Sequence, residues 1–418
     1  MSAAGAVAAP ARGALAVPGF RRLWLAGGIS AFGDSFTALA LLVVLLRLTG
    51  STAAVAGLLI VTGLPQIVLG LQAGVVADRL ERRRLMVASE LVRGAFVLGL
   101  VAVRAGRDAP WLYALAVAQA AVGVFFEPAR AAFVPRLVPP ELRLSANALD
   151  QTLRLVAATT GSALAGLLLG GRGGPALAFS VDAGTFVASA ALIAGIAAPA
   201  AASGAEADAT PEAAPGGRGW QTLGAGLQAL LARRALLGLL LTFAVATVGL
   251  GFMNVAFVPF VLADLHASTT ALGLVRAAQT LGIAAGGACV GWLGARLPAR
   301  GLVVGGVGGL GLGFAAMAWV PGAGPLFALM PLLGVASSAL QAGSTTLLQA
   351  HAPDALRGRI ESALDTLLVT LLMAAMAAAG ALARGAGERR LFLAAGALTL
   401  LGGLVGAAAI PGRRAENR

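Results

Sequence analysis

Long apolar segments alternate with short polar ones along almost the whole chain. A membrane-spanning helix needs about 20 predominantly apolar residues, and stretches of that length recur between breaks rich in Gly, Pro or Arg. This pattern predicts an all-α polytopic membrane protein with twelve transmembrane helices. The predicted spans lie near residues 22–46, 53–77, 85–104, 111–133, 145–170, 175–198, 236–262, 269–294, 301–320, 325–348, 360–383 and 390–410.

The composition agrees with a membrane protein and argues against other classes. Of the 418 residues, 58% are hydrophobic and 11% are charged, whereas soluble proteins carry about 25% charged residues. All 30 basic side chains are arginine, so the chain lacks the lysine with which a P-loop holds nucleotide phosphates. The net charge of +12 is spread between apolar segments, which disfavours nucleic acid as a partner.

The residues that usually form metal or catalytic sites are scarce. The chain contains one cysteine, Cys289, and two histidines, His266 and His351. These are too few for a cysteine or histidine metal cluster. Neither a Ser-His-Asp set nor a pair of acids is spaced on a common face. We therefore expect no metal, no cofactor and no enzymatic activity.

A polar segment separates two sets of six spans. Residues 199–219 are rich in Ala, Pro, Gly and acids and should not form a core. Apolar residues then recur at helical spacing up to Arg233 and Arg234, which indicates an amphipathic helix on the membrane surface; the alternative is the start of the seventh span. The predicted parts are a flexible tail, an N-terminal half, a linker with that helix, a C-terminal half and a second tail, at residues 1–20, 21–198, 199–234, 235–411 and 412–418.

The arginines predict the orientation of the chain in the membrane. If both termini are cytoplasmic, most arginines between spans lie inside, as the positive-inside rule requires. The outer group Arg384, Arg389 and Arg390 departs from that rule, and the sequence offers no reason for it. The arginines between spans that would lie outside are Arg47, Arg104, Arg107, Arg172, Arg384, Arg389 and Arg390.

The two halves contain an internal repeat. The segments "PPELRLSANALD" (139–150) and "APDALRGRIESALD" (352–365) end in corresponding aspartates, Asp150 and Asp365. The loop "GVVADRLERR" that begins at Gly74 reappears as "GWLGARLPAR", with Ala295 in place of Asp78. We therefore expect two pseudo-symmetric six-helix halves, as in transporters whose central site is exposed to each side in turn.

Several motifs carry a resemblance to a known family. The pattern Gly74-x-x-x-Asp78-Arg79-x-x-Arg82-Arg83 resembles the loop between helices two and three in the major facilitator superfamily. Four further stretches are similar to enterobactin exporters and macrolide-efflux proteins. These stretches are "FRRLWLAGGISAFGDSFTALAL" (20–41), "FFEPARAAFVPRLVP" (125–139), "FSVDAGTFVASAAL" (179–192) and "LLQAHAPDALRGRI" (347–360).

The resemblance implies a transporter in the bacterial inner membrane that exports drugs, macrolides or siderophores in exchange for protons. Its partners would be a small-molecule substrate, protons and the lipid bilayer, and we expect a monomer. The apolar composition favours a large amphipathic substrate over a sugar. The alternatives are a proton-coupled uptake symporter and a membrane sensor or scaffold that transports nothing.

Two departures weaken the analogy with antiporters. In the fifth span, antiporters of the superfamily usually carry a Gly-Pro-x-x-Gly-Gly turn, whereas this chain has "GSALAG" between Gly161 and Gly166. In the fourth span, an arginine often found in drug/proton antiporters is missing around Gln119. The transporter interpretation remains, but the antiport mechanism is less directly implied.

Ionisable residues inside spans are costly and are usually retained for function. Asp34 lies near the middle of the first span, and in the exporters that this chain resembles an acidic residue on that helix couples transport to protons. The alternative is a structural aspartate that accepts hydrogen bonds from hydroxyls and backbone amides.

Other charges within or next to spans have two interpretations. Asp150 and Arg154 are one helical turn apart and can pair, either as a structural pair or as a substrate contact. Asp365 lacks such a partner and is expected to meet Arg82 or Arg83. Glu127 and Arg130 close the fourth span, and the simplest interpretation of these two charges is a solvated helix end.

Two charges stand alone toward the outer half of their spans. These are Asp182 on the sixth span and Arg276 on the eighth. Arg276 could attract an anionic substrate or could pair with Asp264.

The loop from Gly74 to Arg83 has an orienting role and a possible gating role. The resemblance assigns Asp78 to a cytoplasmic latch, in which it accepts hydrogen bonds from the amino-terminal end of the eleventh helix and pairs with Arg130. The second half would lack this latch, because Ala295 replaces the acid. The simpler alternative is an arginine-rich orientation signal.

Overall fold

The computed structural model describes residues 13–171, 173–197, 219–293, 297–353 and 356–411. The second predicted tail, most of the first tail and most of the predicted linker therefore lie outside the described residues, and so does Ala295 of the repeated loop. The described residues contain helices, turns and bends but no strand. The all-α fold class predicted from the sequence is confirmed.

Twelve helices in the described part of the chain are long and apolar enough to cross a membrane. They agree closely with the predicted spans, and a thirteenth, shorter helix follows the polar segment. The helices are α1 (Pro18–Thr49), α2 (Thr52–Arg79), α3 (Arg82–Gly99), α4 (Ala109–Leu137), α5 (Arg143–Gly170), α6 (Gly174–Ala194), α7 (Gly219–Ala232), α8 (Arg234–Pro259), α9 (Thr269–Leu293), α10 (Ala299–Met317), α11 (Ala323–His351), α12 (Arg357–Ala386) and α13 (Glu388–Ala409).

Local sequence explains where these helices start and stop. Glu81 adopts an extended conformation between α2 and α3, inside the arginine-rich loop. Gly387, with φ of 73°, makes the sharp turn between α12 and α13, a conformation that glycine adopts without strain. Pro65 in α2 and Pro331 in α11 lie within helices, which membrane helices tolerate because neighbouring groups satisfy the freed backbone atoms.

The helices form two compact units. The first consists of residues 1–48 and 61–214, and the second of residues 49–60 and 215–418. The first turns of α2 therefore group with the second unit, whereas the sequence placed residues 21–198 together. The hydroxyl of Thr52 donates a hydrogen bond of 2.7 Å to the carboxylate of Glu388, which fixes this start of α2 within the second unit.

In the first unit, α3 packs against α4 and α6. One buried cluster joins Leu23 of α1, Met86 of α3, Phe126 and Phe133 of α4, and Ile193 of α6. Two polar contacts hold the end of α6: Arg22 and Arg83 donate hydrogen bonds to the carbonyls of Gly195 and Ile196. Cations at a helix C-terminus are favourable, so these arginines have a structural role.

In the second unit, α8 packs closely against α13, and α10 packs against α11 and α13. The α8–α13 contact depends on glycine: a Cβ added to Gly249 would lie 2.1 Å from Thr399 Oγ1. The glycine-rich α10 packs closely at Gly313 and at Gly309, where added Cβ atoms would lie 2.3 Å from Leu333 and 3.2 Å from Ala336. Gly305 of the same helix faces open space.

The helix α7 is separate from the seventh span. Arg233 interrupts the helical path with an extended conformation before α8 begins. The side chain of Leu230 is fully buried, in a cluster with Leu348 and Ile360, while Leu231 is half exposed. This helix therefore has an apolar face packed on the second unit, and the alternative of a frayed start of the seventh span does not apply.

Candidate functional site

The first unit holds a buried ion pair around Asp34. Arg93 of α3 donates a hydrogen bond of 2.6 Å from its guanidinium to Oδ1 of Asp34. The Arg93 side chain is 11% exposed and that of Asp34 is 40% exposed. The ring of Phe186 lies 4.4 Å below the guanidinium, a cation–π contact that fixes its position. Asp34 is thus half open on one side and held by arginine on the other.

Two further carboxyl groups lie beside this pair. Glu90 is fully buried, accepts a hydrogen bond of 3.3 Å from Ser30 Oγ and has an oxygen 3.9 Å from Arg93. Asp182 of α6 is also fully buried and accepts a hydrogen bond of 3.1 Å from Thr185 Oγ1. We call Asp34, Glu90, Arg93 and Asp182 the Asp34 cluster.

Close helix packing places Asp182 against the first helix. A Cβ added to Gly33 would lie 2.4 Å from Oδ1 of Asp182, so this carboxyl group touches α1 one residue before Asp34. Only glycine leaves room for that approach. The lone acid that the sequence placed toward the outer half of the sixth span is therefore part of the same site as Asp34.

The Asp34 cluster contains three carboxyl groups and one guanidinium group. One oxygen of Glu90 and one of Asp182 have no hydrogen-bond partner among the described residues. Unpaired buried carboxylates cost several kcal/mol in an apolar environment. Binding a proton removes this cost, so the cluster has the chemistry of a proton-binding site.

A cavity of about 240 Å³ opens beside Asp34 and Arg93. Gln66 of α2 and Glu127 of α4 also line it. The cavity provides a path by which a small polar species can reach Asp34. It also connects the Asp34 cluster with a second group of charges.

This second group, here called the Arg130 network, consists of Glu127, Arg130, Asp150 and Arg154. Arg130 pairs with Asp150 and lies 3.7 Å from Glu127. Arg154 donates hydrogen bonds of 2.8 Å to Glu127 and 3.0 Å to Asp150. The predicted pairing of Asp150 with Arg154 is confirmed.

The Arg130 network is balanced, since two acids alternate with two bases. The Arg130 side chain is 8% exposed, so the alternative of a solvated helix end at Glu127 and Arg130 is wrong for this arginine. The sequence paired Arg130 with Asp78, but the structure pairs it with Asp150 and Glu127. The network therefore ties the end of α4 to the start of α5.

The helix-five motif contacts the first helix. A Cβ added to Gly161 of α5 would lie 2.6 Å from the carbonyl oxygen of Phe32 and 2.8 Å from Cβ of Ser35. This contact flanks Asp34 in the sequence of α1. The Gly161 end of "GSALAG" thus positions the helix that carries Asp34, whereas Gly166 is a buried residue of α5.

The segment from Gly74 to Arg83, predicted as a loop, consists of the end of α2, residues 80 and 81, and the start of α3, and its contacts are mainly local. Asp78 is 3.7 Å from Arg82, and its side chain is 75% exposed. Arg83 contacts Glu81 at 3.7 Å as well as the end of α6. Arg79 is exposed, and a side chain at Gly74 would meet no atom within 4 Å.

The second unit contains a larger cavity of about 600 Å³. Arg276 and Gln279 of α9, Asn254 of α8, and Glu361 and Asp365 of α12 line it together with many apolar side chains. Asp365 faces this cavity, and Arg82 pairs with Asp78 in the first unit. The expected contact of Asp365 with Arg82 or Arg83 would join residues of different units, and it stays a prediction.

Arg276 does not pair with Asp264, which corrects one of the two alternatives given above. Arg389 contacts Asp264 at 3.2 Å and donates a hydrogen bond of 2.8 Å to the carbonyl of Ala318. These contacts give Arg389, one of the three outer arginines that depart from the positive-inside rule, a structural role. Arg276 instead lies 5.3 Å above the ring of Phe257.

Sequence reasoning missed Glu90 and Arg93. Both lie in "MVASELVRGAF" (86–96), inside the predicted third span. An acid and a base three residues apart within a span are the signal that could have found them, because they share one helix face.

The fold and the buried charges define a polytopic helical membrane protein with charged residues inside its spans, a class typical of transporters. A sequence model of the Major Facilitator Superfamily matches residues 23–255 and 239–418. The chain therefore belongs to the Major Facilitator Superfamily and is a multi-pass membrane transporter.

Solved structures of transporters have the same fold. The nucleoside transporter NupG is 11% identical with a TM-score of 0.74, covering 94% of this chain and 100% of its own. A bacterial homologue of the iron transporter ferroportin is 17% identical with a TM-score of 0.73, covering 94% and 99%. A bacterial homologue of the human lysosomal transporter Spinster is 14% identical with a TM-score of 0.71, covering 94% and 98%. No curated protein matches the chain significantly.

Proposed function

We propose that this transporter exports amphipathic small molecules in exchange for protons and that Asp34 is its proton-coupling residue. The observation that carries the proposal is the Asp34 cluster, in which Arg93 contacts two carboxyl groups, Asp34 and Glu90, and a third, that of Asp182, is buried beside α1. Export rather than uptake follows the sequence resemblance to exporters of drugs, macrolides and siderophores.

The geometry suggests how a proton could act at this site. Arg93 is 2.6 Å from Asp34 and 3.9 Å from Glu90, so the guanidinium can shift between the two carboxylates. Protonation of Asp34 weakens its pair with Arg93 and favours the contact with Glu90. Because Asp34 lies on α1 and both Arg93 and Glu90 lie on α3, the shift weakens the attraction between α1 and α3.

The Arg130 network supports a mechanical role at the cytoplasmic side. It joins α4 and α5, and Glu127 lines the same cavity as Asp34. We propose that this network transmits the change at Asp34 to the loop of Gly74, Asp78, Arg79, Arg82 and Arg83. In this proposal Asp78 acts as a latch whose partner lies outside its own unit.

The proposed location is the bacterial inner membrane, with both termini in the cytoplasm and the chain acting as a monomer. In that orientation, the arginine-rich loop after α2 is cytoplasmic, as the positive-inside rule favours.

A liposome experiment tests both the coupling and its direction. Purified protein is placed in liposomes that contain a pH-sensitive dye, and a panel of amphipathic compounds that includes a macrolide is added outside. Antiport raises the pH of the lumen as substrate enters, whereas symport lowers it. The result does not depend on the orientation of the protein in the liposome.

The variant Asp34→Asn should lose this response, since the amide cannot bind and release a proton. The exposed Glu141→Gln serves as the matched control and should behave as wild type. A lumen that becomes acidic would establish symport. No response to any compound, with correctly folded protein, would reject the exporter in favour of a non-transporting role.

A further inference from the structure

The cavity of the second unit contains one basic group without an acidic partner. Arg276 forms no ion pair within the described part of the chain, and Asp264, at the end of the short π-helix that follows α8, pairs with Arg389. The Nε atom of Arg276 is buried without a hydrogen-bond partner among the described residues. A buried N–H donor without an acceptor is costly, and function is the usual reason to retain a charged residue in a membrane span.

The surroundings of Arg276 hold it at the cavity wall. Its guanidinium lies 5.3 Å above the ring of Phe257, which also lines the cavity. An aromatic ring attracts a cation without neutralising its charge. The guanidinium therefore remains available to an anion while its position is restricted.

The rest of the cavity suits a molecule with an apolar body. Its volume of about 600 Å³ is within the range of sites for drug-sized ligands. Phe243, Leu250, Met253 and Phe314 are among its apolar wall residues, and Gln279 lies one turn from Arg276 on the same helix.

The cavity also contains two acidic groups, which limit the charge of a ligand. Glu361 and Asp365 lie on α12, whereas Arg276 lies on α9. They oppose a second negative charge on the ligand and tolerate a neutral or cationic group. The arrangement therefore favours one anionic group at the α9 side of the cavity.

We propose that Arg276 binds the anionic group of the substrate and that the transported molecules are amphipathic organic acids with a single carboxylate or comparable anion. This inference names the substrate class of the transporter proposed above and rests on that proposal. Arginine is suited to this role because its fork of donors matches the geometry of a carboxylate.

A matched pair of fluorescent probes tests the role of the anion. N-dansylleucine carries a free carboxylate, and N-dansylleucinamide has the same apolar body without the charge. Binding of each to the purified full-length protein is measured by fluorescence anisotropy in lipid nanodiscs, without a proton gradient, and empty nanodiscs supply the background.

Wild-type protein should bind the acid on the order of tenfold more tightly than the amide, as expected for one charge-assisted hydrogen-bonded pair. Arg276→Gln should remove this preference, and Arg276→Lys should retain part of it. Arg384→Gln, at an exposed arginine outside the cavity, should bind as wild type.

Three results would overturn the proposal: no saturable binding of N-dansylleucine to the wild-type protein, equal affinity of that protein for both probes, or an unchanged preference in Arg276→Gln. If Arg276→Gln does not fold, the proposal is still tested by the relative affinity of the wild-type protein for the two probes and by the partial preference expected of Arg276→Lys. Proton coupling is tested separately, because Asp34→Asn should keep the probe preference while losing proton movement. Failure of one proposal is thus distinguishable from failure of the other.

Discussion

At the scale of single residues, Arg93 is central to the Asp34 cluster. It contacts Asp34 and Glu90 and lies over Phe186, so it joins side chains from α1, α3 and α6. Removing one member of a buried pair leaves the other as an uncompensated charge, which costs more than the pair itself contributes. Stability and proton binding therefore depend on the same guanidinium.

Replacing Arg93 by Gln should destabilise the protein. We expect a loss of about 3 kcal/mol, the lower end for a broken buried pair, because Asp34 is 40% exposed. This corresponds to a fall in melting temperature on the order of 5 °C in a chain of this size. The measurement is thermal unfolding of the purified protein in detergent.

The double variant Arg93→Gln/Asp34→Asn provides the control for that prediction. It removes one of the acids left uncompensated and should recover part of the lost stability, as coupled neighbours do in a double-mutant cycle. Arg107→Gln, at a side chain that is 91% exposed, should change little. Additive losses in the double variant would contradict a direct interaction.

At the scale of helices, glycine determines which elements can approach the site. Gly33 allows α6 to bring Asp182 against α1, and Gly161 brings α5 to within contact of the α1 backbone. Both contacts lie beside Asp34. The departure of "GSALAG" from the usual antiporter motif therefore does not remove close packing at its first glycine.

A side chain at Gly161 should push α5 away from α1. Gly161→Val places a Cβ 2.6 Å from a backbone oxygen, which cannot move without shifting the helix. We expect a loss of about 1 to 3 kcal/mol from overpacking, seen as a lower melting temperature, together with reduced proton-coupled transport.

Gly305→Val is the matched control for this change. Gly305 lies in another glycine-rich helix, α10, but a Cβ there meets no atom within 4 Å. It should keep wild-type stability and transport. Equal effects of the two substitutions would show that helix propensity, and not contact with α1, determines the result.

At the scale of the whole molecule, the charged residues near the helix ends fall into two groups: some make structural contacts, and others are free for a functional role. Arg83 ties the loop after α2 to the end of α6, and Arg389 ties α13 to Asp264. Asp78 has only an exposed contact with Arg82, and such surface pairs contribute about 0 to 1 kcal/mol. A functional role of Asp78 can therefore be separated from stability.

Asp78→Asn should impair transport while leaving insertion and orientation unchanged. Orientation is measured with Arg107→Cys in a Cys289→Ala background, by labelling intact cells with a membrane-impermeant maleimide. The thiol introduced at position 107 should be labelled from outside with either residue at position 78. Wild-type transport by Asp78→Asn would reduce this loop to an orientation signal.

The sequence by itself determined the number and limits of the transmembrane helices, because bilayer thickness sets the length of an apolar segment and because each helix satisfies its own backbone. It also identified the pairing of Asp150 with Arg154, which is a local contact one helical turn apart. Both conclusions depend only on neighbours along the chain.

Only the tertiary structure decided how the charges are shared between helices. Arg93 with Asp34, Arg130 with Asp150, and Arg389 with Asp264 join residues far apart in sequence, and no periodicity encodes such partners. The same contacts left Arg276 without an acid, although the sequence allowed Asp264 as its partner. The physical reason is that a buried charge takes the nearest opposite charge in space, and helix packing determines which one that is.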